Sequence, residues 1–313
     1  MSRLAPFPSS FLFALGALAP FAASAEEAPA YRTVNEIVAA SAPADWRQPD
    51  PEHTIYLELA AGRVVIELAP WLAPKHDINI RALIREGYFD GLAILRSQDN
   101  YVVQWGDPEA DDEAKARPFK TAKAKLAGEF TVPWRDDMAF TRIPDDDGYA
   151  PVIGVSDGFW VGRDPKSGSI WMAHCYGSVG VARGNETDSG NGAQLYVVTG
   201  HAPRHLDRNI TLVGRVLSGI ELLSTMPRGA PPMGFYDKPE QRTTIKTMRV
   251  AADVPEAERA ALDVLRTDTA TFAEIVEAKR NRRDPWTKLP SGHIELCNVP
   301  LPVRTTPTTA NTP

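Results

Sequence analysis

Cysteine is scarce in this chain. Cys175 and Cys297 are the only two in 313 residues, too few for a disulfide-stapled scaffold or a thiolate metal cage. In an oxidising compartment the two can pair; otherwise they are two buried thiols, and sequence alone does not give their separation. Histidine is also sparse. The six residues form no His-Glu-x-x-His and no clustered spacing, so neither a metal nor a cofactor is expected. Positive charge is in deficit. Lys and Arg number 34 against 40 Asp and Glu, a net −6, and no basic stripe stands out, which argues against a nucleic-acid partner. Long hydrophobic runs are missing too. A bilayer crossing takes about 20 apolar residues. The N-terminal run over 11–18 is shorter and is followed by Pro20, so no membrane span is expected.

What that first stretch does carry is Arg3, the apolar run, and Ala23-Ser24-Ala25, a small-x-small cleavage signal. This pattern is a secretory signal peptide over 1–25, cleaved after Ala25, with the product expected in the periplasm or outside the cell. The remainder is long enough for one domain and extensions, at about 150 residues per domain. Residues 26–53 are rich in Ala and Pro, with a helix-like piece over 33–40, and read as an extension or linker. Residues 54–60 and 63–69 alternate across Ala61-Gly62, the pattern of a β-hairpin. Pro74 opens an amphipathic helix to about Glu86.

Residues 87–108, GYFDGLAILRSQDNYVVQWGDP, organise the rest. They read as turn, strand, polar break, strand and turn. Arg96 and Gln104 are polar exceptions on apolar strands, and such groups need partners or a cleft. Further strands are expected over 178–182, 193–199, 211–217 and 243–250. The interval 109–176 is charged and irregular, and reads as an inserted loop or hairpin. Residues 255–265 and 271–280 look helical, the latter with a Thr271/Glu274 capping box. The Pro/Thr-rich end, 301–313, reads as disordered.

The 87–108 stretch resembles the cyclophilin family of peptidyl-prolyl cis-trans isomerases. Asp90, Gly91, Arg96, Tyr101, Gln104, Gly106, Asp107 and Pro108 keep the family's order and spacing, while Leu95 stands for its usual His and Trp105 for a Gly. The words GRVVIELAPWLAPKH, Glu129-Phe130, Ala182-Arg183, Gln194-Leu195-Tyr196-Val197 and His205-Leu206-Asp207 follow in the family's order, so the resemblance spans about 54–250. It implies a mainly β fold, a closed eight-stranded antiparallel barrel capped by two helices, here with the insertion at about 109–176. A C-terminal helical extension over 251–300 follows.

The implied activity is rotation about X–Pro bonds in exported proteins. The implied partners are proline-containing unfolded or nascent exported polypeptides. Arg96 and Gln104 take the catalytic places. Tyr101, Val102, Ala182, Arg183, Gln194, Tyr196, His205, Leu206 and Ile210 take the substrate-binding places. Ile210 replaces a frequent His, and Trp105 threatens to crowd its strand's end. A proline-peptide binding or chaperone module with little catalysis is the alternative. One further pattern, Gly154-Val155-Ser156-Asp157-Gly158, matches a hydrolase nucleophile elbow in letters only, because no helix pattern follows it.

Overall fold

The computed structural model describes residues 31–110, 112 and 114–307, and the signal peptide expected over 1–25 lies outside them. The described residues open with helix α1 (Val34–Ala39). Its capping box is Thr33 and Glu36: the Thr33 N–H donates to the Glu36 carboxylate at 2.7 Å and the Glu36 N–H donates to Thr33 Oγ1 at 3.3 Å. Strand β1 (Trp46–Arg47) follows, then the hairpin β2 (Thr54–Leu59) and β3 (Gly62–Leu68). Helix α2 (Pro74–Arg85) starts on its proline and buries Ile80, Leu83 and Ile84. Strands β4 (Ala93–Ser97) and β5 (Val102–Gly106) form the organising unit.

The inserted interval holds β6 (Val132–Pro133), β7 (Thr141–Arg142), β8 (Val152–Ser156), β9 (Phe159–Asp164) and β10 (Ser169–Met172). After it come β11 (Ser178–Val181), β12 (Leu195–Val198), β13 (Leu212–Ser218), helix α3 (Ile220–Ser224), β14 (Thr243–Thr244) and β15 (Thr247–Val250). The last elements among the described residues are β16 (Leu262–Leu265), helix α4 (Ala270–Arg280) and β17 (Val303–Thr305).

The main sheet is a curled, antiparallel sheet of nine strands ordered β14-β4-β5-β12-β11-β13-β3-β2-β15. Nine strands stand where eight were expected from the sequence. The reason lies at residues 243–250, expected as one strand. Their first half pairs with β4 and their second with β2, so the stretch is two short strands at opposite ends of the sheet order. Inside the curl, Ile55, Leu57, Ile66, Ile94, Val103, Trp105, Val179, Val197 and Met248 form the core with α2. Trp105 is fully buried there, pointing away from the side of β5 that carries Gln104. It therefore does not crowd the strand's outer face.

The insertion is more than a loop or hairpin. Its strands make a five-stranded sheet, β6-β10-β9-β8-β7, with Phe159, Val161, Ile170 and Met172 packed on Leu72 and Leu212 of the main domain. Asp157 and Gly158, at φ 47° and 85°, form the two-residue turn between β8 and β9. Ser156 is therefore a buried hairpin residue whose hydroxyl donates to the Ala139 carbonyl, and not a nucleophile on an elbow.

The two extensions meet. β1, β16 and β17 form a three-stranded sheet in that order. The helix expected over 255–265 is replaced by a 3-10 turn and β16, because Val264 and Leu262 gain a place beside Tyr56, Val65, Leu217 and Val303. Pairing with two strands overrides the helical propensity of that stretch. α4 does form, but Thr269 caps it at 3.2 Å and Thr271 is inside it, bonded to Asp45. The tail expected to be disordered from 301 contains β17, and residues 308–313 lie outside the described ones. Cys175 and Cys297 are joined as a disulfide that ties the C-terminal segment to the loop between β10 and β11.

Candidate active site

Arg96 reaches its place through a β-bulge. Ile94 lies opposite Trp105 and Arg96 lies opposite Gln104, so Leu95 is the extra residue in β4. Without that extra residue, period-2 alternation would turn Arg96 toward the core that holds Ile94 and Trp105. The bulge puts Arg96 on the outer side, next to Gln104, over a cleft of about 660 Å³. Arg96 is 9 % exposed, and its guanidinium is held on three sides. Nε donates to the Met233 carbonyl at 2.5 Å, one terminal nitrogen donates to Gln104 Oε1 at 3.2 Å, and the other donates to Gln98 Oε1. Each terminal nitrogen carries a second N–H besides the one so used. Burial lowers the Arg96 pKa from its usual value, and the group remains a cation at neutral pH.

Gln104 is the next link. Its Nε2 donates to Gln194 Oε1 at 2.9 Å, and Gln194 Nε2 donates to the Asp107 carbonyl at 3.4 Å. This fixes which way the Gln104 amide faces, with its oxygen toward Arg96.

Below this polar rim lies an apolar patch of Val102, Tyr196 and Val198, with Tyr101, Ala182 and Ile210 packed on it. Leu206 also lines the cleft, as do Arg183 and Gln194. The Tyr196 ring fits because residue 180 is glycine: a Cβ there would stand 2.3 Å from the tyrosine ring. The Ala182 N–H donates to the Gln194 carbonyl at 2.9 Å. Arg183 is tied to the Asn209 and Gly184 carbonyls at 3.0 and 2.7 Å.

Ten of the eleven site residues expected from the sequence therefore border one cleft. His205 does not. On the 3-10 turn Arg204–Leu206, Arg204 points into a buried ion-pair network and Leu206 into the cleft, which leaves His205 outward and exposed.

Sequence reasoning missed two features of the site. The first is the wall made by Met233 and Phe235. These residues sit in a segment with no periodic signal, after two prolines, and their place follows from backbone pairing with β4, the Arg96–Phe235 bridge included. The second is a buried relay under the pocket. Tyr196 meets His174 Nε2 at 2.9 Å, and His174 Nδ1 meets Asp207 Oδ1 at 2.8 Å. The carboxylate only accepts, so Nδ1 carries the proton and the tyrosine hydroxyl donates to Nε2. Arg204 then bridges Asp207 to Asp147 of the insertion, at 2.6 and 2.9 Å. Burial depresses the His174 pKa and keeps the ring neutral. Burial alone would raise Asp207, but the His174 hydrogen bond and the Arg204 charge bring it below the usual carboxylate range.

Comparison with known proteins fits this geometry. The family model described as cyclophilin type peptidyl-prolyl cis-trans isomerase/CLD matches residues 54–250, well over half of the chain. The chain belongs to the cyclophilin-type isomerase family. A probable peptidyl-prolyl cis-trans isomerase of Brucella suis is 28 % identical to this cyclophilin over 181 residues, covering 58 % of this chain and 74 % of that one. The peptidyl-prolyl cis-trans isomerase-like 1 of Gibberella zeae is 27 % identical over 199 residues, covering 64 % and 95 %. The crystal structure of cyclophilin AquaCyp293 from Hirschia baltica has a TM-score of 0.66 at 25 % identity, covering 89 % of this chain and all of that one. That coverage extends beyond the matched family region of this cyclophilin, into its extensions.

Proposed function

We propose that this cyclophilin catalyses cis-trans rotation about X–Pro bonds in exported polypeptides. The observation that carries the reading is the placement of Arg96 opposite Gln104, at the rim of an apolar pocket. The X–Pro bond rotates slowly because resonance gives the C–N bond partial double-bond character and a barrier of about 18–20 kcal/mol. A catalyst needs no nucleophile or metal for this. It needs a hold on the prolyl ring and a donor at the prolyl nitrogen.

Tyr101, Val102, Tyr196, Leu206 and Ile210 bind the ring. An N–H of Arg96 donates to the nitrogen lone pair, which becomes available only when the bond twists, so the twisted state is favoured over both planar ones. Gln104, itself fixed by Gln194, and the Met233 carbonyl keep the guanidinium plane from turning away. Ala182, Arg183 and Gln194 border the path of the substrate backbone.

Export is proposed on two grounds: the signal peptide pattern over 1–25 and the Cys175–Cys297 disulfide, a bond that persists in oxidising compartments. Proline binding with little catalysis is the second reading, favoured by Ile210, an aliphatic side chain on the cleft where many relatives have a pocket His. Two-dimensional NMR exchange on a short X–Pro peptide separates the two. Accelerated cis-trans exchange supports the enzyme, and binding without acceleration supports the module.

A further inference from the structure

Met233 and Phe235 present large apolar side chains to solvent, at 50 % and 42 % exposure, on one wall of the cleft. Exposed apolar groups beside a binding cleft usually await a ligand. Their segment is held rigidly against β4. The Ser97 N–H donates to the Gly234 carbonyl at 2.8 Å, the Tyr236 N–H to the Leu95 carbonyl at 3.0 Å, and the Gly234 N–H to the Ala230 carbonyl at 2.7 Å. Gly234 has φ 75°, and a Cβ there would meet Gln98 backbone atoms at 2.5 Å, so the approach requires glycine. A surface this constrained contributes contact area without an ordering cost.

Its distance from the prolyl pocket is set by Arg96. The guanidinium carbon is 5.7 Å from the Tyr101 ring centre and 5.2 Å from that of Phe235, so the two ring centres lie within about 11 Å of each other. An extended peptide advances about 3.3 Å per residue. A chain whose prolyl ring rests on Tyr101 therefore brings a neighbouring side chain over Phe235 within about three residues.

We infer that Met233 and Phe235 are specificity-determining residues that select an apolar substrate side chain within three residues of the proline. The inference rests on the isomerase reading of the cleft. Its occupant is a residue of the same bound peptide, because the shelf is continuous with the pocket and shares Arg96 with it.

The test is NMR exchange on peptides that differ only in carrying Leu or Asp at one position within three residues of the proline, on either side. Wild type is expected to favour Leu by about tenfold in kcat/KM at one of these positions, a discrimination typical of an apolar contact. A Met233→Ser/Phe235→Ser double variant should reduce that ratio below about threefold, whatever happens to the absolute rates. Met233→Lys, which keeps Phe235 and the backbone contacts, should move the preference toward Asp. An unchanged ratio in both variants, or no preference in wild type, overturns the inference. Should wild type accelerate no peptide, the isomerase reading fails by itself. The same Leu and Asp peptides are then compared by binding affinity, where a Leu preference lost in Met233→Lys upholds the shelf and equal affinities overturn it.

Discussion

Arg96 faces Gln104 across β4 and β5 only because Leu95 is the residue that the ladder skips. The bulge turns a side chain that alternation would bury in the core toward the cleft, and three hydrogen bonds then hold it there.

Arg96→Ala should lower kcat/KM for X–Pro exchange by about two orders of magnitude or more, the scale of removing one preorganised donor, about 3 kcal/mol. Arg96→Lys should also be poor, since a point charge lacks the fork that meets Gln104, Gln98 and Met233 together. Circular dichroism should show both variants folded. Full activity in Arg96→Ala removes the assigned role.

Tyr196→Phe keeps the ring in the pocket and removes the hydroxyl that His174 Nε2 accepts from. The expected result is a loss of stability of about 1–3 kcal/mol, the cost of leaving a buried acceptor unpaired, measured by urea unfolding. The fall in kcat/KM should stay below about tenfold, because the apolar contact with the prolyl ring survives.

The pH dependence of stability should carry the His174 signature. Burial depresses its folded pKa, so as pH falls through the unfolded value of about 6.5 the unfolded chain takes up the proton first. Stability from this site is full above that pH and is lost as pH falls toward the folded value. Asp207 and Glu129, whose folded values are lowered, add stability that is present above about pH 4 and lost below it. Urea midpoints between about pH 7.5 and 5.5 (roughly one unit on either side of the free imidazole value) should decline for wild type and flatten in His174→Gln. Equal slopes would count against a buried neutral His174.

Reduction of Cys175–Cys297, or Cys297→Ser, releases a loop closed over a sequence separation of 122. Loop-closure entropy puts the expected loss at about 5 kcal/mol. Urea midpoints with and without dithiothreitol measure it, and coincident curves would show that the bridge contributes nothing.

Protein recovered from outside the cytoplasm should begin at Glu26, following cleavage after Ala25. Intact-mass spectrometry decides this, and a retained Met1 would contradict the signal peptide.

The sequence by itself determined the elements that depend on neighbours along the chain. The β2–β3 hairpin followed from alternation across Ala61-Gly62, α2 from Pro74 and its apolar spacing, and the cleft residues of β4, β5 and β12 from local words of the family. The features left to tertiary structure all depend on chain segments far apart in sequence. The Leu95 bulge is set by pairing with β5, and no residue type announces it. β16 is a strand because β1 and β17 flank it, although its local composition favours a helix. Met233 and Phe235 join the cleft only through the backbone pairing of their segment with β4. His174 meets Tyr196, and Cys175 meets Cys297, only once the sheets have packed, since spacing along a chain carries no distance in space.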